Sequence, residues 1–99
     1  MPISSHITIA PAILVKLNQK HGVTQREVEP CFDNRAGGFL EDAREDHKTD
    51  PVTRWFIGET NKGRELKVCF VIAAGAVHVK TAYEPNQDEC RIYNKYAFN

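Results

Sequence analysis

Apolar and polar residues alternate along Glu65–Ala73, which is the pattern of a strand with one buried face. Aromatic and β-branched residues dominate Thr53–Glu59 before it, and two valines share one face of Ala76–Tyr83 after it. Turn residues separate the three segments, namely Asn61-Lys62-Gly63 and Ala74-Gly75. The pattern therefore predicts three consecutive strands joined by two tight turns.

The two faces of this predicted sheet differ in chemistry. The apolar face carries Leu66, Val68, Phe70, Ile72, Val77 and Val79. The opposite face carries the basic or titratable side chains Lys67, His78 and Lys80. A sheet with one apolar face buries it against other elements. We therefore expect the helices to pack on the apolar face and the polar face to stay exposed.

Two helices are predicted before the strands. The first starts from Ile9, where apolar residues begin to recur at helical spacing, and ends at Lys20-His21-Gly22, which offers cations and a terminating glycine. Residues 1–8 have little pattern and are interpreted as a frayed start. The second helix begins at the capping box Thr24–Glu27. An internal proline limits its length, and we expect it to end by Asn34.

A further strand and a further helix complete the prediction. The charged segment Phe39–Glu45 is interpreted as a first, edge strand. Asn86 and Glu89 have the spacing of a second capping box and open a C-terminal amphipathic helix. The predicted fold is α+β, with two N-terminal helices, a four-stranded antiparallel meander and a C-terminal helix in one domain of residues 1–99.

The register of the first hairpin is open. A three-residue loop at Asn61-Lys62-Gly63 places Phe56 in the core opposite Val68, whereas a two-residue turn places Trp55 and Ile57 there. The sequence is compatible with both arrangements.

Composition restricts the class of protein. The 99 residues are 41% hydrophobic and 26% charged, which is ordinary for a globular domain, and no apolar run approaches the ~18 residues of a spanning helix. Three cysteines at unrelated spacings and the lack of a charged-then-apolar leader indicate a reduced, cytoplasmic protein without a membrane segment. The formal net charge is zero, so nucleic-acid binding would depend on a local basic patch.

Motifs for metals, nucleotides and activated nucleophiles are missing from the sequence. Four histidines and three cysteines show no recognised ligand spacing, and no Gly-x-Ser-x-Gly or phosphate-binding glycine loop occurs. We therefore expect neither a metal nor a cofactor. The cysteines are interpreted as small buried hydrophobes: Cys31, Cys69 and Cys90.

The polar face carries residue types that cleave RNA without a metal. A base takes the 2′-hydroxyl proton, cations stabilise the pentacoordinate phosphate and an acid protonates the leaving 5′-oxygen. The candidate set is His78, Lys80 and Tyr83 on the last strand, Lys67 beside them, Arg91 on the final helix, and Arg44 and His47 after the first strand. The same alternation of polar residues is also typical of any half-exposed strand.

Short motifs in a particular order carry a family resemblance. They are Lys20-His21-Gly22-Val23, Arg54-x-Phe56-Ile57-Gly58, Leu66–Phe70, Thr81-Ala82-Tyr83-Glu84-Pro85, and a final helix with Glu89 and Arg91. From about Ile9 to Tyr93 the chain resembles the BrnT toxins of the RelE/ParE superfamily of type II toxin–antitoxin systems. Glu41–Pro51 and the run W-F-I-G-E-T also resemble small bacterial proteins that carry the label ADP-ribosyl-(dinitrogen reductase) hydrolase.

The resemblance implies a RelE-like fold, an endoribonuclease that cleaves mRNA, and a cognate antitoxin that covers the sheet. By matching positions it implies roles for Arg54, Lys67, Lys80, Glu89 and Arg91. The expected site therefore has catalytic His78, Lys80 and Tyr83, RNA-binding Arg54, Lys67 and Arg91, and auxiliary Arg44, His47 and Glu89.

One position departs from the family pattern. BrnT proteins place an arginine after the last strand in a Ser-x-Arg-like segment, where this chain has Thr81-Ala82-Tyr83. A tyrosine can act as an acid or stack on a base, but it cannot neutralise a phosphate. Two alternatives follow: a relative that has lost catalysis and binds another protein through its sheet or edge strand, or the hydrolase named by the label.

Overall fold

Three helices and five strands make up an α+β fold in the computed structural model, which describes residues 6–42 and 51–98. The helices are α1 (Pro11–His21), α2 (Gln25–Asn34) and α3 (Gln87–Tyr96). The strands are β1 (Ile7–Thr8), β2 (Leu40–Glu41), β3 (Arg54–Glu59), β4 (Glu65–Ala73) and β5 (Ala76–Tyr83). None of the helices within these residues has the length and apolarity needed to span a lipid bilayer.

The strands form one mixed sheet in the order β1-β5-β4-β3-β2. β2, β3, β4 and β5 pair antiparallel in sequence order, and β1 joins β5 in parallel through Ile7↔Val77 and Thr8↔His78. The interpretation of residues 1–8 as a frayed start is therefore wrong for Ile7 and Thr8, since two residues are too few to show strand periodicity. β2 lies inside the predicted strand Phe39–Glu45, of which residues 43–45 lie outside the described part of the chain.

The helix ends follow the local signals in the sequence. Gly22 terminates α1 in the left-handed conformation, with φ at 61°. At the start of α2 the Thr24 N–H donates to Glu27 Oε1 at 3.1 Å, and at the start of α3 Glu89 N–H donates to Asn86 Oδ1 at 2.8 Å. α2 continues through its internal proline and ends at residue 34, as predicted. Residues close in sequence therefore determine where α1 ends and where α2 and α3 begin.

The first hairpin pairs Phe56 with Val68, as the three-residue loop requires. Phe56 is fully buried, yet Trp55 and Ile57 on the opposite face of β3 are buried as well. Neither register alternative anticipated this, because each assumed that only one face of the sheet is covered. Both faces of β3 are covered.

Different helices cover the two faces. On the face of Phe56, the ring of Phe32 in α2 lies 4.7 Å from Phe56 and 5.5 Å from Phe70, measured between centroids. On the other face, the Tyr93 ring of α3 lies 5.8 Å from Trp55. The expectation that all three helices pack on the apolar face is wrong for α3. Trp55 and Ile57 give β3 an apolar surface there, next to the more polar faces of β4 and β5.

One residue of the predicted apolar face lies outside the core. Ile72 is exposed, whereas the other members of that face are buried. It stands one residue before the end of β4, beside the turn at Ala74-Gly75. An apolar position near a hairpin tip extends past the packed centre of the sheet.

Candidate functional site

An irregularity in β5 decides which side chains share a face. Cys69 pairs with Thr81, but the next residue, Phe70, pairs with Val79, so Lys80 is an extra residue between the two pairs. Such a bulge reverses the alternation of side chains beyond it. It brings Tyr83 to the same face as Lys67, with which it is paired.

Lys67, Tyr83 and Glu89 form a compact hydrogen-bonded group. The Lys67 ammonium and the Tyr83 hydroxyl both donate to Glu89 Oε2, at 2.7 Å and 2.8 Å. Glu89 Oε1 accepts from the backbone N–H of Asn86 at 3.0 Å. The Lys67 ammonium also lies 4.6 Å from the centroid of the Trp55 ring, within the range of a cation–π contact. Every charged group here has a partner.

This group is largely withdrawn from solvent. The side chains of Lys67 and Glu89 are 8% and 17% exposed, and Tyr83 is half-buried. The expectation that Lys67 stands on an exposed polar face is therefore wrong, because α3 packs over it and supplies its carboxylate. A buried ion pair of this kind is stable only when its members are bonded to each other.

The surroundings set the protonation states of the three groups. Burial raises the pKa of Tyr83, and its hydrogen bond to Glu89 raises it further. Burial alone would raise the pKa of Glu89, but the bonds from Lys67, Asn86 and Tyr83 outweigh it and lower that pKa. Burial would lower the pKa of Lys67, but the bond with Glu89 raises it. At neutral pH the group is an ion pair with a protonated phenol.

His21 gives this group a contact with solvent. It is the last residue of α1 and is exposed, and its ring lies 5.5 Å from the Tyr83 ring between centroids, with the planes inclined by 36°. We call His21, Lys67, Tyr83 and Glu89, with Trp55 beneath them, the Tyr83 cluster. It contains an imidazole, a phenol, an ammonium and a carboxylate in one place.

The other expected catalytic residues lie elsewhere. His78 is half-buried, with Nε2 3.2 Å from the carbonyl oxygen of Ala73. It is five residues before Tyr83, which is about 15 Å along a strand. Lys80 is exposed at the bulge. One phosphodiester group therefore cannot contact His78 and Tyr83 together.

The expected RNA-binding residues are also separated from the cluster or already paired. Arg54 alternates with Trp55 and so lies on the opposite face of β3, with its guanidinium 3.5 Å from the Glu41 carboxylate. Arg91 is exposed and bonds Asp88 at 2.6 Å on its own helix. Arg44 and His47 lie outside the described residues. Of the expected site, the structure brings together Lys67, Tyr83 and Glu89.

Two members of the Tyr83 cluster had no assigned role in the sequence-based site. His21 was interpreted only as a cation at a helix end, and Trp55 only as a core candidate. The sequence signal for His21 was the motif Lys20-His21-Gly22-Val23, and the signal for Trp55 was the run W-F-I-G-E-T. Their contact with the other members depends on how α1 and α3 pack, which the motifs do not encode.

A basic groove lies near the cluster. It has a volume of about 550 Å³ and is lined by residues at the start of α2 and in the β3–β4 turn: Thr24, Arg26, Glu27, Thr60, Asn61, Lys62 and Arg64. Three of these residues are cationic and one is anionic. Arg64 is paired with Glu27 and Glu84, so Arg26 and Lys62 are the lining cations that make the groove basic on a chain whose net charge is zero.

The three cysteines are free thiols. Cys31 is buried, as interpreted, and burial raises the pKa of its thiol to about 12. Cys69 and Cys90 are only half-buried. Among residues 6–42 and 51–98, no three His, Cys, Asp or Glu side chains gather into a group that could hold a metal ion.

Comparison with known proteins gives no family assignment, since no family model and no curated protein matches the chain.

Proposed function

We propose that this chain is a metal-independent endoribonuclease of the toxin class that it resembles, with the Tyr83 cluster at its centre. One observation carries the proposal: an exposed imidazole, a protonated phenol and a paired ammonium meet at a single place. Together they can supply the base, the acid and the positive charge by which RNA is transesterified when no metal takes part.

Each member has a role in this chemistry. His21 takes the proton of the 2′-hydroxyl, and the 2′-oxygen attacks the adjacent phosphorus. Tyr83 exchanges its bond to Glu89 for one to the 5′-oxygen and protonates it as the P–O bond breaks. Lys67, whose ammonium lies 5.7 Å from the Tyr83 ring centroid, stabilises the phosphorane and the phenolate that remains. The products are a 2′,3′-cyclic phosphate and a 5′-hydroxyl.

The basic groove gives the substrate a path to this centre. Arg64 lines the groove and also bonds the backbone carbonyl of His21 at 3.0 Å, so the groove and the cluster adjoin. Phosphate contacts by surface cations position a nucleic acid without reading its sequence. We propose that the RNA backbone follows the groove and presents one phosphodiester to His21 and Tyr83.

The proposal includes a RelE-like fold and a protein partner. The fold part of the proposal is supported by the two helices before β2, the antiparallel series β2–β5 and the helix that follows it. The resemblance does not account for β1 or for the position of α3 on the second face of the sheet. A cognate antitoxin is the partner expected for such a protein.

A second function, protein binding without catalysis, is favoured by a different surface. Ile92, Tyr96 and Phe98 are 42%, 52% and 54% exposed on and just after α3. Ile92 and Tyr96 are four residues apart and so share a face of α3, and exposed apolar side chains on one face are typical of interaction sites. A chain that binds through this surface and cleaves no RNA would be a catalytically inactive relative of the toxins.

Removing the Tyr83 hydroxyl should abolish most of the cleavage. We expect the purified protein to cut single-stranded RNA in the presence of EDTA, and Tyr83→Phe to be slower by about 10²-fold or more, the usual loss when an acid is removed. The measurement is the cleavage rate and the product termini by gel and mass spectrometry. Tyr96→Phe removes the same atom from an exposed tyrosine of α3 and should cleave at the wild-type rate.

If the wild-type protein leaves RNA intact and its expression does not arrest growth, the endoribonuclease proposal is wrong and the protein-binding function is favoured. If Tyr83→Phe cleaves as fast as the wild type, Tyr83 is not the acid.

A further inference from the structure

Arg64 connects the end of α1, the start of α2 and the end of β5, beside the Tyr83 cluster. Its guanidinium donates to the carbonyl oxygens of His21 at 3.0 Å and Gly22 at 3.1 Å, at the end of α1. It also bonds Glu84, the residue after Tyr83, at 2.7 Å and Glu27, in the first turn of α2, at 3.0 Å. A planar guanidinium can satisfy several acceptors at once, which a lysine ammonium on its flexible stem does less well.

The end of α1 needs these bonds. The last carbonyl groups of a helix have no partner within it. The N–H groups of Gly22 and Val23 turn back to the carbonyls of Asn18 and Leu17, so they satisfy earlier positions. The carbonyls of His21 and Gly22 are left for Arg64. Because the His21 side chain is exposed, its position depends on how firmly this backbone is held.

Arg64 is itself held by the β3–β4 turn. Thr60 is buried, and its hydroxyl oxygen accepts from the N–H groups of Arg64 at 3.1 Å and Lys62 at 3.3 Å. The Thr60 N–H donates to the Arg64 carbonyl at 2.8 Å. Two hydrogen bonds therefore fix the backbone of Arg64, and a third, from the Lys62 N–H, holds the turn before it.

We infer that Arg64 is a positioning residue that holds the His21 ring against Tyr83, and that the Thr60 turn aims Arg64 at the end of α1. The hold of Arg64 on the His21 ring follows from these contacts alone, whereas an effect of Arg64 on a reaction rate rests on the proposed function. A group held loosely by even 1 Å can lose about 10²-fold in rate, so a residue that touches no substrate can still limit catalysis.

The test is the contact between the two rings in folded variants. Arg64→Lys keeps the charge but loses the planar fork, and Thr60→Val keeps the volume but loses the acceptor oxygen. Both should lose the nuclear Overhauser effects between the His21 and Tyr83 rings that the wild type shows. Thr60→Ser keeps the acceptor, and Arg54→Lys changes an arginine on the opposite face, so both should retain them.

The rate gives a second readout. Arg64→Lys and Thr60→Val should lower kcat for RNA cleavage by about 10- to 100-fold. Both residues line the groove, but Arg64→Lys keeps the positive charge and Thr60 carries none, so KM should change little. Folded variants that keep the ring contact overturn the inference, whatever the RNA result. If the variants lose the contact between the His21 and Tyr83 rings but keep the wild-type kcat, this contact does not limit catalysis. If the wild type cleaves no RNA while the variants lose the contact, the proposed function fails and the positioning role stands.

Discussion

Replacing Glu89 by alanine should lower the free energy of unfolding by about 3 kcal/mol, the range for breaking a buried ion pair. The substitution leaves the buried Lys67 ammonium without its carboxylate and the Tyr83 hydroxyl without its acceptor. It also removes the bond to the Asn86 N–H that begins α3. Urea denaturation measures the loss. Asp88→Ala, which breaks an exposed pair on the same helix turn, should change stability far less.

A double substitution tests whether the unpaired, buried charge of Lys67 causes this loss of stability. Lys67→Met with Glu89→Gln removes both charges and keeps an acceptor for Tyr83, so it should recover part of the stability that Glu89→Ala loses. A double variant as unstable as Glu89→Ala, or a Glu89→Ala no less stable than Asp88→Ala, would show that charge burial is not the reason.

The same pair predicts how stability varies with pH. Since the pKa of Glu89 is lowered on folding, its contribution is present above the pKa of the unfolded chain, about 4.3, and is lost as pH falls through the folded value. Since the pKa of Lys67 is raised, its contribution is present below about 10.4 and is lost as pH rises through the folded value. Glu89→Gln should therefore show a smaller loss of stability between neutral and acid pH than the wild type.

Replacing Gly58 by alanine should destabilise the protein by roughly 3 kcal/mol. A Cβ at this position would lie 2.4 Å from the carbonyl oxygen of Cys31 and 3.1 Å from its carbonyl carbon. Both are backbone atoms of α2, so the helix would have to move away from β3. That movement would disturb the contact of Phe32 with Phe56 beneath it.

Gly63→Ala is the matched control for this substitution. Gly63 has φ at +84°, and a Cβ there meets nothing within 4 Å. The substitution should therefore lower the free energy of unfolding only by the strain of a left-handed alanine, about 1 kcal/mol. The measurement is the urea midpoint of each variant. If Gly58→Ala is no less stable than Gly63→Ala, α2 does not pack on β3 as closely as the structure has it.

The parts of the fold that could be predicted are those with local causes. The bounds of β4 and β5 follow from alternation and from the turn at Ala74-Gly75, and the end of α1 follows from Gly22. Capping boxes announce the starts of α2 and α3. Each of these signals acts within a few residues, so it can be recognised without knowledge of the tertiary structure.

What could not be predicted depends on packing between distant elements. The position of α3 on the second face follows from Trp55 and Ile57. The alternation in β3 does not show this, because it is compatible with burial of either face. Lys67 was expected in solvent because its partner Glu89 belongs to a helix whose placement was not known. The bulge at Lys80 changes the face of Tyr83, and no residue of β5 marks it. The sequence therefore named Lys67, Tyr83 and Glu89 as candidates but could not show that these three lie together while His78 and Arg54 lie apart from them.

We propose that RNA is cleaved at the Tyr83 cluster and not around His78. The most direct measurement is the rate of RNA cleavage in EDTA by His21→Ala and His78→Ala, both checked for folding by circular dichroism. We expect a loss of about 10²-fold or more for His21→Ala and a rate near that of the wild type for His78→Ala. A loss confined to His78→Ala would contradict it and place the reaction at the other end of β5.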